Sequence, residues 1–250
     1  MSDYTFTDAL GYSMEQLVEM VNRCYKQSYL PLQQTPLELA RYCQYNNMDL
    51  GSIVVMFDGD NFVGCSLLAT RNRRGWLGGF GIVPEYRGRG AGRAMLTRQL
   101  AVARTFGLTQ LQLEVPLQST PAPRLGESAG FESRRDVFDL LLATKALPHH
   151  ASTASISPAN PEQIMDLLLQ GQQPAWTRER INLLVKGGEA IVLSHASGAT
   201  AAMMYRRRGS HGEKVQLYAA ALSNYAGAND FALMLRHAAD SATSISIHNE

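Results

Sequence analysis

The residues best suited to chemistry lie in one loop rich in glycine and arginine, between Val83 and Leu96. Its glycines and arginines are Arg87, Gly88, Arg89, Gly90, Gly92 and Arg93. Glycine lets a backbone turn sharply and approach a ligand without a Cβ in the way. An apolar run before the loop predicts a strand, and the pattern after it predicts a helix. Because the N–H groups of a helix's first turn attract anions, the arrangement is typical of a phosphate site.

The spacing within this loop narrows the choice of phosphate ligand. The pattern GxxxxGK[ST] of nucleoside-triphosphate loops is absent. The dinucleotide fingerprint GxGxxG does not fit Gly88 to Gly92, and no acidic residue closes a strand about twenty residues later. Hairpins before the loop also predict antiparallel strands, which disfavours a doubly wound nucleotide-binding protein.

The loop reads V-P-E-Y-R-G-R-G-A-G, and Arg87 to Gly92 match [RQ]-x-x-G-x-[GA]. Together with the flanking strand and helix, and with Gly130-Phe131 farther on, it resembles the acyl-coenzyme A pyrophosphate loop of the GNAT N-acetyltransferase superfamily. The resemblance covers about residues 5–145. It implies an α+β GNAT fold, with a mixed, mostly antiparallel sheet flanked by helices. The alternative, a glycine-rich loop that merely turns the chain, would not need three arginines.

The order of predicted elements agrees with this resemblance. Two helices precede three antiparallel strands, and a helix, a strand, a helix and a last strand follow. The predicted ranges are 13–27 and 35–43 for the helices, 52–57, 62–69 and 76–83 for the strands, then 90–105, 111–115, 121–129 and 137–143. These elements make up a predicted acyl-CoA-binding domain over residues 1–146.

The second half of the chain predicts a repeat of the same architecture. Residues 147–160 are rich in small and helix-breaking residues and are predicted to be a linker. Residues 161–250 then start the order again. A shift of 139 positions places Arg87 on Ala226 and Gly90 on Asn229, so the phosphate loop is lost. We predict a second, smaller, degenerate GNAT-like domain, with an unrelated α+β cap as the alternative.

The resemblance also implies acetyl-CoA as co-substrate and assigns residues to it. Backbone groups of a splayed strand would bind the pantetheine arm and polarise the thioester, and loop amides would hold the pyrophosphate. The implied cofactor-binding residues are Gly81, Ile82, Val83, Arg87, Gly88, Arg89, Gly90, Ala91, Gly92, Arg93 and Ser119. Tyr29, Tyr42 and Tyr45 are candidates for the acceptor side, and ordinary half-buried packing is the alternative for them.

Two positions depart from the pattern of similar family members, which read L-E-V-x-x-Q-N-T-P-A-x-x-L-Y-E-x-x-G-F. Ser119 stands in place of the asparagine, and Gly126 in place of the tyrosine that commonly protonates the departing thiolate. Glu114 is the acidic residue best placed as a general base, and a structural or solvent-facing role is its alternative. Two functions therefore stay open: an N-acyltransferase that acetylates a primary amine, and a non-catalytic acyl-CoA-binding or regulatory module.

The composition of the chain disfavours several classes of binding partner. The formal net charge is +1 over 250 residues, which disfavours general binding to nucleic acid or to a membrane surface. Three cysteines without C-x-x-C spacing predict reduced thiols rather than disulfides or a metal site. Because the N-terminus carries no apolar signal region, we expect a cytoplasmic protein. The family resemblance implies that its acceptor is a small amine or a peptide. The oligomeric state stays open, with a homodimer among the options.

Overall fold

The computed structural model describes residues 3–29, 32–148, 153–170, 174–196, 200–223 and 226–247. The chain divides into two compact units, Met1–Arg134 and Arg135–Glu250. Each unit is built on one sheet.

The first unit follows the predicted order with one added strand. Its elements are β1 (Tyr4–Thr7), α1 (Met14–Tyr25), α2 (Pro36–Asn46), β2 (Val54–Asp58), β3 (Asn61–Arg71), β4 (Arg74–Ile82), α3 (Ala91–Thr105), β5 (Gln110–Leu113) and α4 (Pro121–Ser128). The strands lie in the order β1-β2-β3-β4-β5. All neighbours are antiparallel except β4 and β5, which are parallel. The mixed, mostly antiparallel sheet is therefore confirmed, whereas β1 was not predicted.

Side-chain capping boxes fix the start of each of the first two helices. Ser13 and Gln16 form a reciprocal capping box at α1, and Thr35 and Glu38 form another at α2. The helix α3 differs, because its N-cap is Gly90 and no side chain caps it. It packs on the sheet through Met95 and other buried residues, among them Ala91 and Leu96.

Strand β4 changes its pairing along its length. Its ladder with β5 covers Arg74–Leu77 and ends at the pair Leu77–Leu113. At the same level its register with β3 shifts, since Leu67 pairs with Gly79 and Leu68 with Leu77, which leaves Gly78 as a bulge. Beyond this point β4 continues to Ile82, paired with β3 on one side but no longer with β5 on the other. The predicted splay of the strand is confirmed.

The second unit repeats this topology. Its elements are β6 (Leu140–Ala143), β7 (Ser155–Pro158), α5 (Pro161–Leu169), α6 (Arg180–Lys186), β8 (Glu189–Ser194), β9 (Thr200–Arg208), β10 (Lys214–Leu222), α7 (Ala228–Ala239) and β11 (Ser244–Ile247). The sheet order is β7-β8-β9-β10-β11-β6. As in the first unit, the inner pair β10–β11 is parallel and the β9–β10 register shifts, here between Leu217 and Ala219.

Two predictions about the junction of the units are wrong. The strand predicted over 137–143 does not close the first sheet, because β6 pairs antiparallel with β11 of the second. The first unit accordingly ends at Arg134 rather than at residue 146. Part of the predicted linker is a strand, since β7 pairs with β8. Residues 149–152 of that linker lie outside the described residues.

Close backbone approach between β3 and β4 gives a first testable prediction. A Cβ on Gly64 would lie 2.4 Å from the carbonyl oxygen of Gly81, a backbone atom that cannot turn aside. We expect Gly64→Ala to lower the free energy of unfolding by about 1–3 kcal/mol, as overpacking does. Urea unfolding followed by circular dichroism measures it.

The matched control is Gly79→Ala on the neighbouring strand. There a Cβ would meet only side-chain atoms of Leu67, at 3.1 Å and beyond. A loss under about 1 kcal/mol is expected, because a leucine side chain can adjust. Equal losses for both variants would contradict the close approach of the strands.

Candidate active site

The glycine-rich loop leads directly to the uncapped N-terminus of α3. Gly88 and Gly90 have φ of 73° and 86°, in the left-handed region, and a Cβ on either would have nothing within 4 Å. The first hydrogen bond of the helix runs from Ala94 N to Gly90 O at 3.1 Å. The N–H groups of the preceding helical residues therefore point out of the helix end. With Arg89 and Arg93 exposed beside it, this end of the helix suits an anion.

The side chain of Arg87 has an internal task instead of facing that loop. Its Nε donates to Ile82 O at 2.9 Å, and its Nη1 donates to Gln27 O at 3.1 Å. Its Nη2 donates to Cys24 O and Lys26 O, each at 3.0 Å. Four of the five N–H donors of a guanidinium are thus used within the protein. Arg87 ties the C-terminal end of α1 to the end of β4, rather than offering its charge to a phosphate.

Backbone orientation decides which residues of β4 face the parted edge. Val83 N donates to Val63 O at 2.9 Å, so Val83 belongs to the hydrogen-bonded set with β3. Since hydrogen-bonded and non-bonded pairs alternate along an antiparallel ladder, Gly81 also turns toward β3. The backbone N–H and C=O groups of Phe80 and Ile82 point the other way, toward the edge that no longer pairs with β5. Of the predicted residues Gly81, Ile82 and Val83, only Ile82 turns its backbone groups to this edge, and Phe80, which also does, was not predicted.

Two tyrosines contact β4 just beyond its parting from β5. The hydroxyl of Tyr42, on α2, donates to Gly78 O at 2.6 Å. The hydroxyl oxygen of Tyr25, at the end of α1, accepts from Phe80 N at 3.3 Å. Burial raises the pKa of Tyr25 to about 12, so the phenol stays neutral at any physiological pH. Helices α1 and α2 therefore each supply a hydroxyl to this strand.

The remaining predicted tyrosines differ in exposure. Tyr29 lies after α1 and is 62% exposed, whereas Tyr45 is half-buried on α2. Tyr42 is bonded to β4 through Gly78 O. An acceptor role for any of them stays a prediction.

Glu114, Ser119 and Gly126 follow β5 in order. Glu114 is exposed and comes directly after Leu113, where the ladder with β4 ends. Ser119 is buried, and its N–H donates to Pro116 O at 2.9 Å. Gly126 is buried in α4, where a Cβ would meet only Phe131 Cβ, at 3.7 Å. Pro123 lies in the first turn of that helix, where its missing N–H costs nothing.

Comparison with known proteins identifies this arrangement. Residues 14–131 match the model of the acetyltransferase (GNAT) family. The N-terminal unit belongs to the GNAT acetyltransferase family. No curated protein sequence matches the chain at a significant level.

Solved structures extend the GNAT likeness to both units. A tandem GNAT protein from the clavulanic acid biosynthesis pathway, solved without AcCoA, is 14% identical with a TM-score of 0.66, covering 98% of this chain and 89% of that one. A GCN5-related N-acetyltransferase from Sphaerobacter thermophilus is 14% identical with a TM-score of 0.71, covering 98% and 85%. One from Kribbella flavida is 15% identical with a TM-score of 0.59, covering 98% and 64%. At such identities the likeness shows a tandem GNAT fold and no more.

The second GNAT-like unit has a different helix N-terminus at the equivalent place. Asp230 Oδ2 accepts from the N–H of Gly227, the N-cap of α7, at 2.9 Å. Asp230 Oδ1 lies 2.7 Å from His195 Nε2. The backbone bond from Gly227 chiefly, with His195 also contributing, holds the pKa of Asp230 below its usual range. A carboxylate thus lies at the start of α7, whereas no side chain caps the start of α3.

A cavity lies beside the last described pair of β10 and β11 in the second unit. The β10–β11 ladder is described up to Leu217–Ile247, and Arg178 Nη1 donates to Leu217 O at 3.1 Å and also to Tyr218 O. A cavity of about 540 Å³ lies here, lined among others by Tyr218, Ala219, Ile247, Phe138, Leu140 and Arg178. The second unit thus combines a cavity beside β10 with a helix α7 whose N-cap amide is bound by a carboxylate.

Neither a metal cluster nor a membrane-spanning helix is found among the described residues. In that part of the chain, no three His, Cys, Asp or Glu side chains gather into a group that could hold a metal ion. None of the helices described is long and apolar enough to cross a bilayer. All three cysteines are free thiols and buried.

The carboxylate at α7 predicts a pH dependence of stability. Because the folded-state pKa of Asp230 lies below its ordinary value of 3.8, the ionised group stabilises the fold above that value, and the contribution is lost as the pH falls. We expect Asp230→Asn to lower the free energy of unfolding by about 1 kcal/mol at pH 7, and by less at pH 3. Urea unfolding at several pH values measures this.

Asp240→Asn serves as the control. The side chain of Asp240 is 76% exposed, and its ion pair with Arg207 Nη1 is long, at 3.7 Å. This variant should change stability little at either pH. A Asp230→Asn variant whose loss of stability is independent of pH would show that the charge plays no part.

Proposed function

We propose that this protein is an acyl-CoA-dependent N-acyltransferase, which transfers an acetyl group from acetyl-CoA to a primary amine by direct attack. The observation that carries the proposal is that one loop joins two exposed ends of backbone structure in the first unit. These are the parted edge of β4 and the uncapped N-terminus of α3. Membership of the GNAT family supports the reaction class.

The residues present fit acetyl-CoA as co-substrate. The left-handed glycines leave open space above the loop, and exposed Arg89 and Arg93 add positive charge. We assign the diphosphate to the amides of Gly88 to Arg93 and to these two arginines. We assign the pantetheine arm and the acyl group to the edge of β4 at Phe80 and Ile82. Buried Ser119, at the start of α4, is a further proposed contact.

The thioester of acetyl-CoA supplies an activated acyl carbon, so the protein's contribution is mainly positioning and polarisation. A backbone N–H at the parted edge of β4 is suited to hold an acyl oxygen. Exposed Glu114, where β5 ends, is proposed as the base that accepts a proton from the amine. The acceptor is proposed to be a small amine or a peptide.

Binding of acetyl-CoA tests the loop. Gly90 and Gly107 sit at opposite ends of α3, with φ of 86° and 69°, and each has open space for a Cβ. Alanine at either position costs about 1–2 kcal/mol of left-handed strain, so both variants lose similar stability. Only Gly90→Ala should also raise the Kd for acetyl-CoA, by about tenfold, which corresponds to about 1.4 kcal/mol.

Isothermal titration of the wild type and both variants gives the Kd values. Absence of acetyl-CoA binding by the folded wild type would refute the proposed function. Equal weakening by Gly90→Ala and Gly107→Ala would move the diphosphate away from this loop.

A second candidate function is a non-catalytic acyl-CoA-binding module. The observation that favours it is Gly126, a residue without a hydroxyl at the position where similar family members carry tyrosine. Release of the thiol from acetyl-CoA, followed with a thiol reagent over a panel of amines and peptides, separates the two functions. The transferase should release thiol with at least one amine. Binding without release would favour the module.

The same assay tests the proposed base. In a transferase, Glu114→Gln should lower kcat by about 10²–10⁴ and remove the acidic limb of the pH profile. Glu127→Gln, an exposed acid on α4, is the control. An unchanged profile for Glu114→Gln would leave deprotonation of the amine to water.

A further inference from the structure

One N–H group on the parted edge of β4 has a side chain as its hydrogen-bond partner. Phe80 N donates to the hydroxyl oxygen of Tyr25 at 3.3 Å. This distance is beyond the usual range for an N–H···O bond, so the contact is weak and a better acceptor can replace it. A hydroxyl can accept one bond and still donate its own proton. The edge of β4 therefore presents two donors side by side, one backbone and one phenolic.

The backbone around Tyr25 is held firmly against this edge. The carbonyl groups on either side of it in the chain, those of Cys24 and Lys26, both accept from Arg87. The same guanidinium binds Ile82 O on β4. Cys24 also packs on β4, since a Cβ on Gly81 would lie 2.5 Å from Cys24 Cβ. The hydroxyl of Tyr25 is therefore positioned by two contacts that do not depend on it.

We propose that Tyr25 is a catalytic residue, whose hydroxyl and the N–H of Phe80 together donate hydrogen bonds to the acyl oxygen as negative charge develops on it. The inference rests on the proposed function. Two donors 3.3 Å apart can both reach one oxygen at normal hydrogen-bond distance. Such fixed donors at a developing oxyanion are the most effective form of electrostatic catalysis in acyl transfer.

In this step, bonds to the acyl carbon form and break and one proton moves. The amine lone pair forms the C–N bond, and the carbonyl pair moves onto the oxygen held by Tyr25 and Phe80. That pair then returns, the C–S bond breaks, and the thiolate leaves with the bonding electrons. The amine gives up its proton to Glu114 or water, and the thiolate takes one from solvent. Tyr25 keeps its own proton throughout.

The raised pKa of Tyr25 agrees with this role and disfavours a role as the acid that protonates the departing thiolate. A thiol has a pKa near 8.5, whereas the phenol of Tyr25 is at about 12. Transfer of the tyrosine's proton to the thiolate would therefore be strongly uphill. A phenol that stays neutral is suited to donate a hydrogen bond to an oxyanion without losing its proton.

Isotope-edited infrared spectroscopy of bound acetyl-CoA, labelled with ¹³C at the acyl carbonyl, tests the inference without any acceptor. Each hydrogen bond to a carbonyl oxygen lowers its stretching frequency. In Tyr25→Phe the band should move to higher frequency than in the wild type, because one donor is lost. Tyr12→Phe is the matched control, since Tyr12 has its hydroxyl bonded to Thr7 Oγ1 at 3.3 Å, and its band should not move.

The outcomes separate this inference from the proposed function. If acetyl-CoA binds and the band is the same in wild type and Tyr25→Phe, Tyr25 does not contact the acyl oxygen and the inference is overturned while the proposed function stands. If acetyl-CoA does not bind the wild type, both fail. Where an amine acceptor is found, Tyr25→Phe should lower kcat by about 10²–10³ with little change in the Kd for acetyl-CoA.

A measurement on the unaltered protein guards against a variant that does not fold. The amide signal of Phe80 in an ¹H–¹⁵N correlation spectrum should move on addition of acetyl-CoA, since the acyl oxygen replaces Tyr25 as acceptor. Coenzyme A without an acyl group should move it much less. Equal shifts with both ligands would place the acyl oxygen elsewhere and overturn the inference.

Discussion

Hydrogen-bonding groups on the backbone of β4 need partners where β5 no longer provides them. The ladder ends at Leu77–Leu113, and three side chains take over beyond it. Tyr42 binds Gly78 O, Tyr25 accepts from Phe80 N, and Arg87 binds Ile82 O. The cleft that we assign to acetyl-CoA is therefore an edge whose remaining polar groups are held in place by α1, α2 and the loop. This constraint links the helices to the chemistry of the strand.

The two units use the same sheet in different ways. Both have a shift of register in the strand that pairs with their parallel neighbour, at Gly78 in β4 and between Leu217 and Ala219 in β10. In the first unit the following helix starts without a side-chain cap, whereas in the second Asp230 binds the N–H of its own N-cap. One carboxylate at the helix start is enough to disfavour a diphosphate there, by like charge and by occupation of the amide. The two units thus differ at this helix start while sharing the same order of strands around it.

Local sequence patterns predicted the elements well and their partners poorly. Capping residues and the glycine loop located the helices of the first unit, because these signals act within a few residues. The four-residue edge strands β1 and β7 were missed, since so short a run has little periodicity. Pairing of β6 with the second sheet, and the turn of Phe80 toward the cleft, depend on contacts distant in sequence. Tyr25 was missed for the same reason, since its helix position gave no hint of Phe80.

Strand β6 opens the second unit along the chain, yet it completes the sheet beside β11, which comes last. During synthesis on a ribosome, its leucines therefore emerge long before the strand that pairs with them. The first unit already has all five strands of its sheet by then and can fold. The second must keep an unpaired apolar segment in solution until β11 is made, and it closes a loop of nearly its whole length. We expect its folding to be the slower of the two and the more dependent on molecular chaperones.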